Sequence, residues 1–328
     1  MSKFDKDYTK LCKTILKDGV WNYNKEGIPA ITIPDYTLKF DLNEELPILT
    51  TKQIHIKQAI LEMLWIYQVQ SNDVRWLQER GVHTWDKWMI DSDGIYRSYI
   101  NGKNNHIDLE KKVPVVNISN HIMLDYYGDE IYTKGLLKDK EIQSSAKYFD
   151  EEYAYTIGTS YGYIVNKMKL IDRLIEKLKN NQYDKNIIMS LWQDEYLKTS
   201  VLPPHVWSSE WYVTFNKLNV WVHQRTCDVP LRLPFNVIQY AILVHMIARE
   251  VGLDVGTMNW SIIDAHISEN QLDGIKEQIN RYEKLGDFES PKLWLNPEVK
   301  RFYDFDNSKE CKDVKILNYK HHGTINFK

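Results

Sequence analysis

A chain of 328 residues can bury a substantial core, as one large domain or two ordinary ones. Its 43% apolar and 27% charged residues are those of a soluble globular protein, and a formal net charge of −3 gives no electrostatic basis for binding nucleic acid or a membrane surface. Cys12, Cys227 and Cys311 lie far apart with no CxxC pair, no apolar core follows Met1, and no run approaches the roughly 18–20 apolar residues of a membrane-spanning helix, so a reducing, cytoplasmic setting is expected.

Along the chain, Phe4, Tyr8, Leu11, Ile15 and Leu16 recur at helical spacing, with Gly19 as a C-terminal cap. Between Ile28 and Leu42, near-alternation of Ile31, Ile33, Tyr36, Leu38 and Phe40 predicts paired strands broken at Pro34. Ile54–Gln70 reads as a strong helix and Asn72–Gly81 as a shorter one. From Asp91 to about Ser160 the pattern dissolves into short polar segments, which predicts an insertion or small subdomain rather than one long loop. A helix is expected over Val165–Leu178, a short strand over Ile187–Trp192, and a hairpin from Trp207–Phe215 and Leu218–Arg225 turning about Asn216-Lys217. Pro234 opens a long helix through Val251 that Gly252 ends. Asp254–Ala265 reads as a strand pair, Gln271–Leu285 as a helix and Val314–Phe327 as strand-like. Strands and helices mix without regular βαβ alternation, so the expected class is α+β.

Residue chemistry alone marks one region. Arg225 and Asp228 sit close along a strand edge, ahead of a helix whose first turn holds Asn236. A guanidinium fork suits phosphate, an asparagine amide offers the donor and acceptor needed to read a pyrimidine edge, and helix N-termini favour anions. The same residues also suit a salt-bridged strand end and a helix cap, and Trp85 and Trp88 suit core packing as well as a pocket wall.

Pro47-Ile48-Leu49-Thr50-Thr51-Lys52, Glu62-Met63-Leu64-Trp65 and Val82-His83-Thr84-Trp85-Asp86-Lys87-Trp88 stand in order along the chain. Tyr161-Gly162, Gln224-Arg225, Asp228, Pro234-Phe235-Asn236, His245-Met246-Ile247-Ala248 and Asp264-Ala265-His266 follow. In these ordered motifs, over most of its length, the chain resembles thymidylate synthase. That resemblance implies a large mixed β-sheet with helices packed on one face and a homodimer formed sheet to sheet. It implies a pyrimidine nucleotide of the dUMP type as ligand, 5,10-methylenetetrahydrofolate as cofactor and no metal. By the same resemblance Arg225 would hold the nucleotide phosphate, Asn236 would read the pyrimidine, His266 would lie on the ribose side, and Gln224, Thr226 and Lys185 would also bind the nucleotide. Glu62 would organise water and proton transfers, Tyr161 would line the catalytic cavity, Trp85 and Trp88 the folate pocket, and Asp228 would lie beside folate and base.

Several positions depart from the family pattern. The catalytic cysteine follows a proline in the family; here Pro204 is followed by His205. A thiolate adds to carbon 6 of the pyrimidine and makes carbon 5 nucleophilic, whereas imidazole is bulkier, would give a cationic adduct and more readily serves as a base or hydrogen-bond donor. The pair of arginines donated across the dimer is matched by Lys185-Asn186, and no arginine occurs over Val20–Tyr23. Arg232 replaces a glycine, Ser268 a tyrosine, and the chain stops at Phe327-Lys328 without the short apolar tail that closes the folate site.

Four readings stay open. The chain is a divergent enzyme with altered one-carbon chemistry; an inactive homologue that binds a nucleotide or a protein partner; a repurposed site with His205 as acid or base beside Glu62 or Glu210; or a metal site of His205, His223 and His266, whose spacing is not diagnostic.

Overall fold

The computed structural model describes residues 2–23, 29–100, 132–137 and 140–327. Helix α1 (Lys3–Asp18) is capped by the Ser2 hydroxyl, which accepts from the Asp5 N–H at 3.2 Å, and it buries Phe4, Tyr8, Leu11, Cys12 and Ile15 against the sheet. Strands β1 (Val20–Tyr23) and β2 (Pro29–Asp41) pair antiparallel. The expected break at Pro34 does not occur. Pairing with β1 ends at Thr32, and on the other side the register passes Pro34 opposite Asp264, where a φ of 54° bends the partner strand, so the missing N–H is not needed.

Helix α2 (Ile56–Tyr67) is buried along most of its length, including Glu62. The helix expected over Asn72–Gly81 shrinks to one turn, α3 (Arg75–Gln78). Within the segment from 91 to 160 lies a separate antiparallel sheet ordered β3–β5–β4, built from β3 (Ile95–Ile100), β4 (Tyr132–Leu137) and β5 (Lys140–Tyr148). Residues 101–131 and 138–139 of that segment lie outside the described residues. The single helix expected over Val165–Leu178 is two, α4 (Gly162–Lys167) and α5 (Leu170–Asn180), because Lys169 between them adopts a left-handed φ of 52°.

After β6 (Ile188–Ser190) and the one-turn α6 (Asp194–Leu197), β7 (Val206–Thr214) and β8 (Lys217–Gln224) form the expected hairpin. Its turn sits one residue earlier than expected, at Phe215 and Asn216, both with positive φ as a two-residue hairpin requires. A short β9 (Cys227–Asp228) leads to α7 (Leu233–Val251), with Pro234 in the first turn and Gly252 ending it at φ 72°. Helix α7 is apolar nearly all round because it packs against α2, α5, β8 and β10.

The strand pair expected over Asp254–Ala265 is one long strand, β10 (Asp254–Ser268), followed by α8 (Leu272–Leu285). The C-terminal strand is confined to β12 (Val314–Leu317), which pairs with β11 (Lys292–Leu295), and the chain beyond lies along α8, where Arg281 donates to the carbonyls of His322, Gly323 and Thr324.

The main sheet runs β1–β2–β10–β8–β7–β6, with β9 also on β10. The β10–β8 and β10–β9 pairings are parallel and the others antiparallel. Helices cover one face of this mixed sheet, as expected. The other face exposes Ile188 (52%), Trp221 (39%) and Ile263 (60%).

Candidate active site

The end of β8, the approach to β7 and the N-terminus of α7 meet around His205. The Arg225 N–H donates to the His205 carbonyl at 2.9 Å, and the Arg225 side chain donates from Nε to Pro204 O and from Nη2 to Pro203 O, each at 3.0 Å. Arg225 therefore clamps the two-proline turn that presents His205. From the opposite wall, Tyr161 Oη accepts the His205 N–H at 3.1 Å. Tyr161 has a φ of 48° immediately before α4, a conformation costly for a side chain of its size. Burial pushes its phenol pKa up to about 12, so the hydroxyl stays protonated.

The imidazole of His205 makes no hydrogen bond among the described residues. Burial, reinforced by the charges of Arg225, Arg232, His266 and Lys87, pushes its pKa down to about 3. His205 is neutral at pH 7.

Glu62 projects from α2 and is buried, with Oε2 accepting from Thr84 Oγ1 at 2.9 Å and Oε1 from Gln239 Nε2 at 3.1 Å. Asp228 is held by the Leu231 N–H and by Gln271 Nε2, both at 2.8 Å. Asn236 is half-buried one helical turn after Arg232, to whose carbonyl its N–H donates at 2.9 Å, and its side-chain amide makes no hydrogen bond among the described residues. Trp85 packs edge-on against Tyr161 with centroids 5.1 Å apart, while Trp88 stacks near-parallel on Tyr96 of the small sheet at 6.4 Å. The indole N–H groups of both tryptophans are buried without an acceptor among the described residues.

Asp264 organises the far side, a role the sequence reading did not assign to it. Its carboxylate accepts from Thr32 Oγ1 at 2.5 Å and Thr226 Oγ1 at 2.6 Å, and lies 3.5 Å from His266 Nδ1. Burial opposes charge on His266, but the Asp264 carboxylate outweighs it and the net pKa is raised. Thr32 reaches this site only through the β2–β10 pairing, in which it stands opposite His266. Thr84, Gln239 and Gln271 were missed for the same reason: each approaches its carboxylate from another element. The spacing of Asp264 and His266 along one strand was the only signal available in the sequence.

Two expected nucleotide ligands stand apart from this cluster. Gln224 is buried, and its Oε1 accepts from Trp260 Nε1 at 2.9 Å within the core. Lys185 is exposed in the connection between α5 and β6. Glu210 does not approach His205; it pairs with His223 at 3.1 Å on the uncovered sheet face. Among the described residues no group of three or more His, Cys, Asp or Glu side chains could hold a metal ion, and no helix is long and apolar enough to cross a membrane. A concavity of about 370 Å³ between α1 and α8, lined by Lys6, Lys10, Lys13, Lys17 and Tyr282, shares no residue with the cleft.

The mixed sheet with one covered face and a polar cleft beside the ends of its central strands define a layered α+β protein. The profile of the thymidylate synthase family matches residues 6–328. Thymidylate synthase of Clostridium beijerinckii is 36% identical over 325 residues, covering 99% of this chain and 98% of that protein. Thymidylate synthase 1 of Bacillus subtilis is 32% identical over 340 residues, covering 100% and 99%. The solved structure of thermostable thymidylate synthase A from Bacillus subtilis superposes with a TM-score of 0.73 at 31% identity, covering 99% of this chain and 98% of that one. The chain belongs to the thymidylate synthase family.

Proposed function

We propose that this chain binds a pyrimidine nucleotide of the dUMP type in the His205 cleft, and that ordinary folate-dependent methylation of dUMP is absent or severely impaired. The observation that supports this reading is the imidazole of His205, which burial holds neutral beside Tyr161 and Arg225 and which follows Pro204 where the resemblance implies the nucleophilic cysteine. Arg225 meets the phosphate with the part of its guanidinium not engaged by Pro203 and Pro204, and Thr226 and His266 approach the same ligand from the Asp264 side. Asn236 reads the pyrimidine edge with its free amide, Tyr161 supplies a protonated hydroxyl, and Glu62, fixed by Thr84 and Gln239, orders water at the ring. Lys185 serves the phosphate of the partner subunit's site, in a homodimer formed through the uncovered sheet face.

Trp85, Trp88 and Asp228 are the residues that would hold methylenetetrahydrofolate; the buried indole N–H groups of the two tryptophans, without acceptors among the described residues, are compatible with a hydrogen-bonding aromatic ligand. When bound, that group supplies the one-carbon unit. A neutral imidazole does not replace the thiolate, because addition to carbon 6 would leave a cation among Arg225, Arg232 and Lys87. The same field makes His205 a poor general base, since a group of pKa about 3 has little proton affinity at pH 7. The reading in which a nucleotide is bound without ordinary methylation is favoured over the acid–base one for that reason.

The test is release of label from carbon 5 of dUMP in the presence of methylenetetrahydrofolate. No release above background is expected, alongside calorimetrically measurable dUMP binding. Turnover at an ordinary synthase rate would overturn the proposal.

A further inference from the structure

Helix α1 carries Lys6, Lys10, Lys13 and Lys17 at helical spacing, which places all four on one face. Like charges three and four residues apart on a helix repel one another. Little among the described residues relieves them. Lys13 pairs with Glu283 of α8 at 2.5 Å, and Lys17 lies 4.0 Å from Asp18 with both side chains largely exposed. Lys6 and Lys10 make no side-chain hydrogen bond or ion pair among the described residues.

This face looks onto the concavity of about 370 Å³ that Tyr282 of α8 walls on the other side. Thr9 lines it between Lys6 and Lys10. Thr9 is only 4% exposed, yet its hydroxyl makes no hydrogen bond among the described residues. A polar group so enclosed is ordinarily paired. The Tyr282 hydroxyl, half-buried, is equally without a partner there. Glu283 and Asp18 interrupt the cationic line toward the end of α1, so free positive charge is confined to the stretch around Lys6, Thr9 and Lys10. That arrangement suits a short, highly charged anion better than a polymer laid along the helix. No arginine lines the concavity, so it offers no fork for a carboxylate; ammonium groups take phosphate as point charges. About 10.5 Å of helix rise separates Lys6 from Lys13, a gap that flexible four-carbon stems can close onto one ligand.

We propose that this concavity is a second binding site, separate from the His205 cleft, for a small molecule bearing two or more linked phosphates. Lys6, Lys10 and Lys13 meet its charge, and the hydroxyls of Thr9 and Tyr282 bond its oxygens. The site lies on the helix-covered side of the sheet, so it stays open in a dimer formed through the other face. It is independent of the pyrimidine-nucleotide reading.

The experiment is calorimetry on the full chain with tripolyphosphate, ATP and inorganic phosphate, in the absence of divalent metal. Tripolyphosphate is expected to bind once per chain, at least about ten-fold more tightly than phosphate, with or without excess dUMP. Lys6→Gln combined with Lys10→Gln should weaken it at least about ten-fold. Thr9→Val should weaken it several-fold at unchanged charge, whereas Thr9→Ser should bind as the parent does; melting temperatures of both variants separate loss of the hydroxyl from loss of packing. Tighter binding of ATP than of tripolyphosphate, lost in Tyr282→Leu, would identify a nucleoside triphosphate as the source. Equal or weaker binding of ATP would identify a phosphate chain without a base, and either result upholds the site. Tripolyphosphate held no more tightly than phosphate, affinity that survives the double lysine substitution, or displacement by dUMP would overturn the proposal. Unchanged affinity in Thr9→Val would reduce the lysines to unspecific surface charge and overturn it as well.

Discussion

At His205 the charge state is set first by burial and then by charges arriving from four elements: Arg225 after β8, Arg232 at the head of α7, His266 on β10 and Lys87 beside Trp88. The consequence for stability has a definite sign. An unfolded imidazole titrates near pH 6.5, roughly, and the folded one at about 3. Between those values the unfolded chain binds a proton that the folded one refuses, so stability falls as pH drops through that window. Asparagine does not titrate. His205→Asn should therefore lose less melting temperature than the parent between about pH 7.5 and 4.5, measured by thermal unfolding in matched buffers. Equal losses would show that the imidazole is not held neutral. His266 behaves oppositely: its folded pKa is raised, so its contribution is complete below about pH 6.5 and is lost as pH rises through the folded value. Both histidines remain in the parent, and the substitution removes only the titration of His205.

Among the elements, the turn into α4 shows how a strained backbone serves the cleft. Tyr161 has a positive φ, and the next residue, Gly162, runs against the backbone of Ser71: a Cβ at Gly162 would meet the Ser71 carbonyl oxygen at 2.0 Å. Only glycine permits that approach. Gly162→Ala should destabilise the protein by about 1–3 kcal/mol, and the shift should weaken nucleotide binding through Tyr161, which accepts the His205 N–H. Chemical denaturation paired with dUMP calorimetry checks both halves, and a variant of unchanged stability would refute the close-packing argument. At the N-terminal end of the molecule, Asp5 of α1 performs a related service. Its buried carboxylate accepts from the N–H and hydroxyl of both Thr50 and Thr51, fixing the turn that places Lys52. The Lys52 ammonium donates to the Pro230 carbonyl, in the loop that leads to α7, and burial pulls its pKa down to about 8. Helix α1 is thereby tied to the loop before Arg232.

For the whole molecule, the sheet buries one face under helices and leaves the other exposing Ile188, Trp221 and Ile263, with Tyr212 half-buried beside them. Large exposed apolar side chains on one flat face favour association, and a sheet face that pairs with its own copy is self-complementary under a two-fold axis. The proposed homodimer uses this face. Light scattering on the parent should give twice the 39.0 kDa chain mass, and Trp221→Lys combined with Ile263→Lys should give the single-chain mass with secondary structure retained. A parent that elutes as a monomer would remove the dimer, and with it the role proposed for Lys185 in a neighbouring site.

The sequence by itself determined the α+β class, the helix from Leu233 to Val251, the β7–β8 hairpin and the ordered motifs that mark the family. Those features are local: an apolar period, a proline inside a first turn, a glycine at a helix end, or short residue strings whose order survives divergence. It misjudged Pro34 and the span from Asp254 to Ala265, since whether a proline breaks a strand depends on which neighbour needs its N–H. Splitting of the Val165–Leu178 helix was equally hidden, because Lys169 is left-handed for reasons no propensity reports. The site was half legible: Glu62, Tyr161, Arg225, Asp228 and Asn236 could be named, but not what holds each of them. Only the tertiary structure set Asp264 among Thr32, Thr226 and His266, turned Glu210 away from His205, and gathered Arg225, Arg232, Lys87 and His266 around one neutral imidazole. Charge state and pairing depend on distances between segments far apart in the chain, and such distances exist only once the sheet and α7 have packed together.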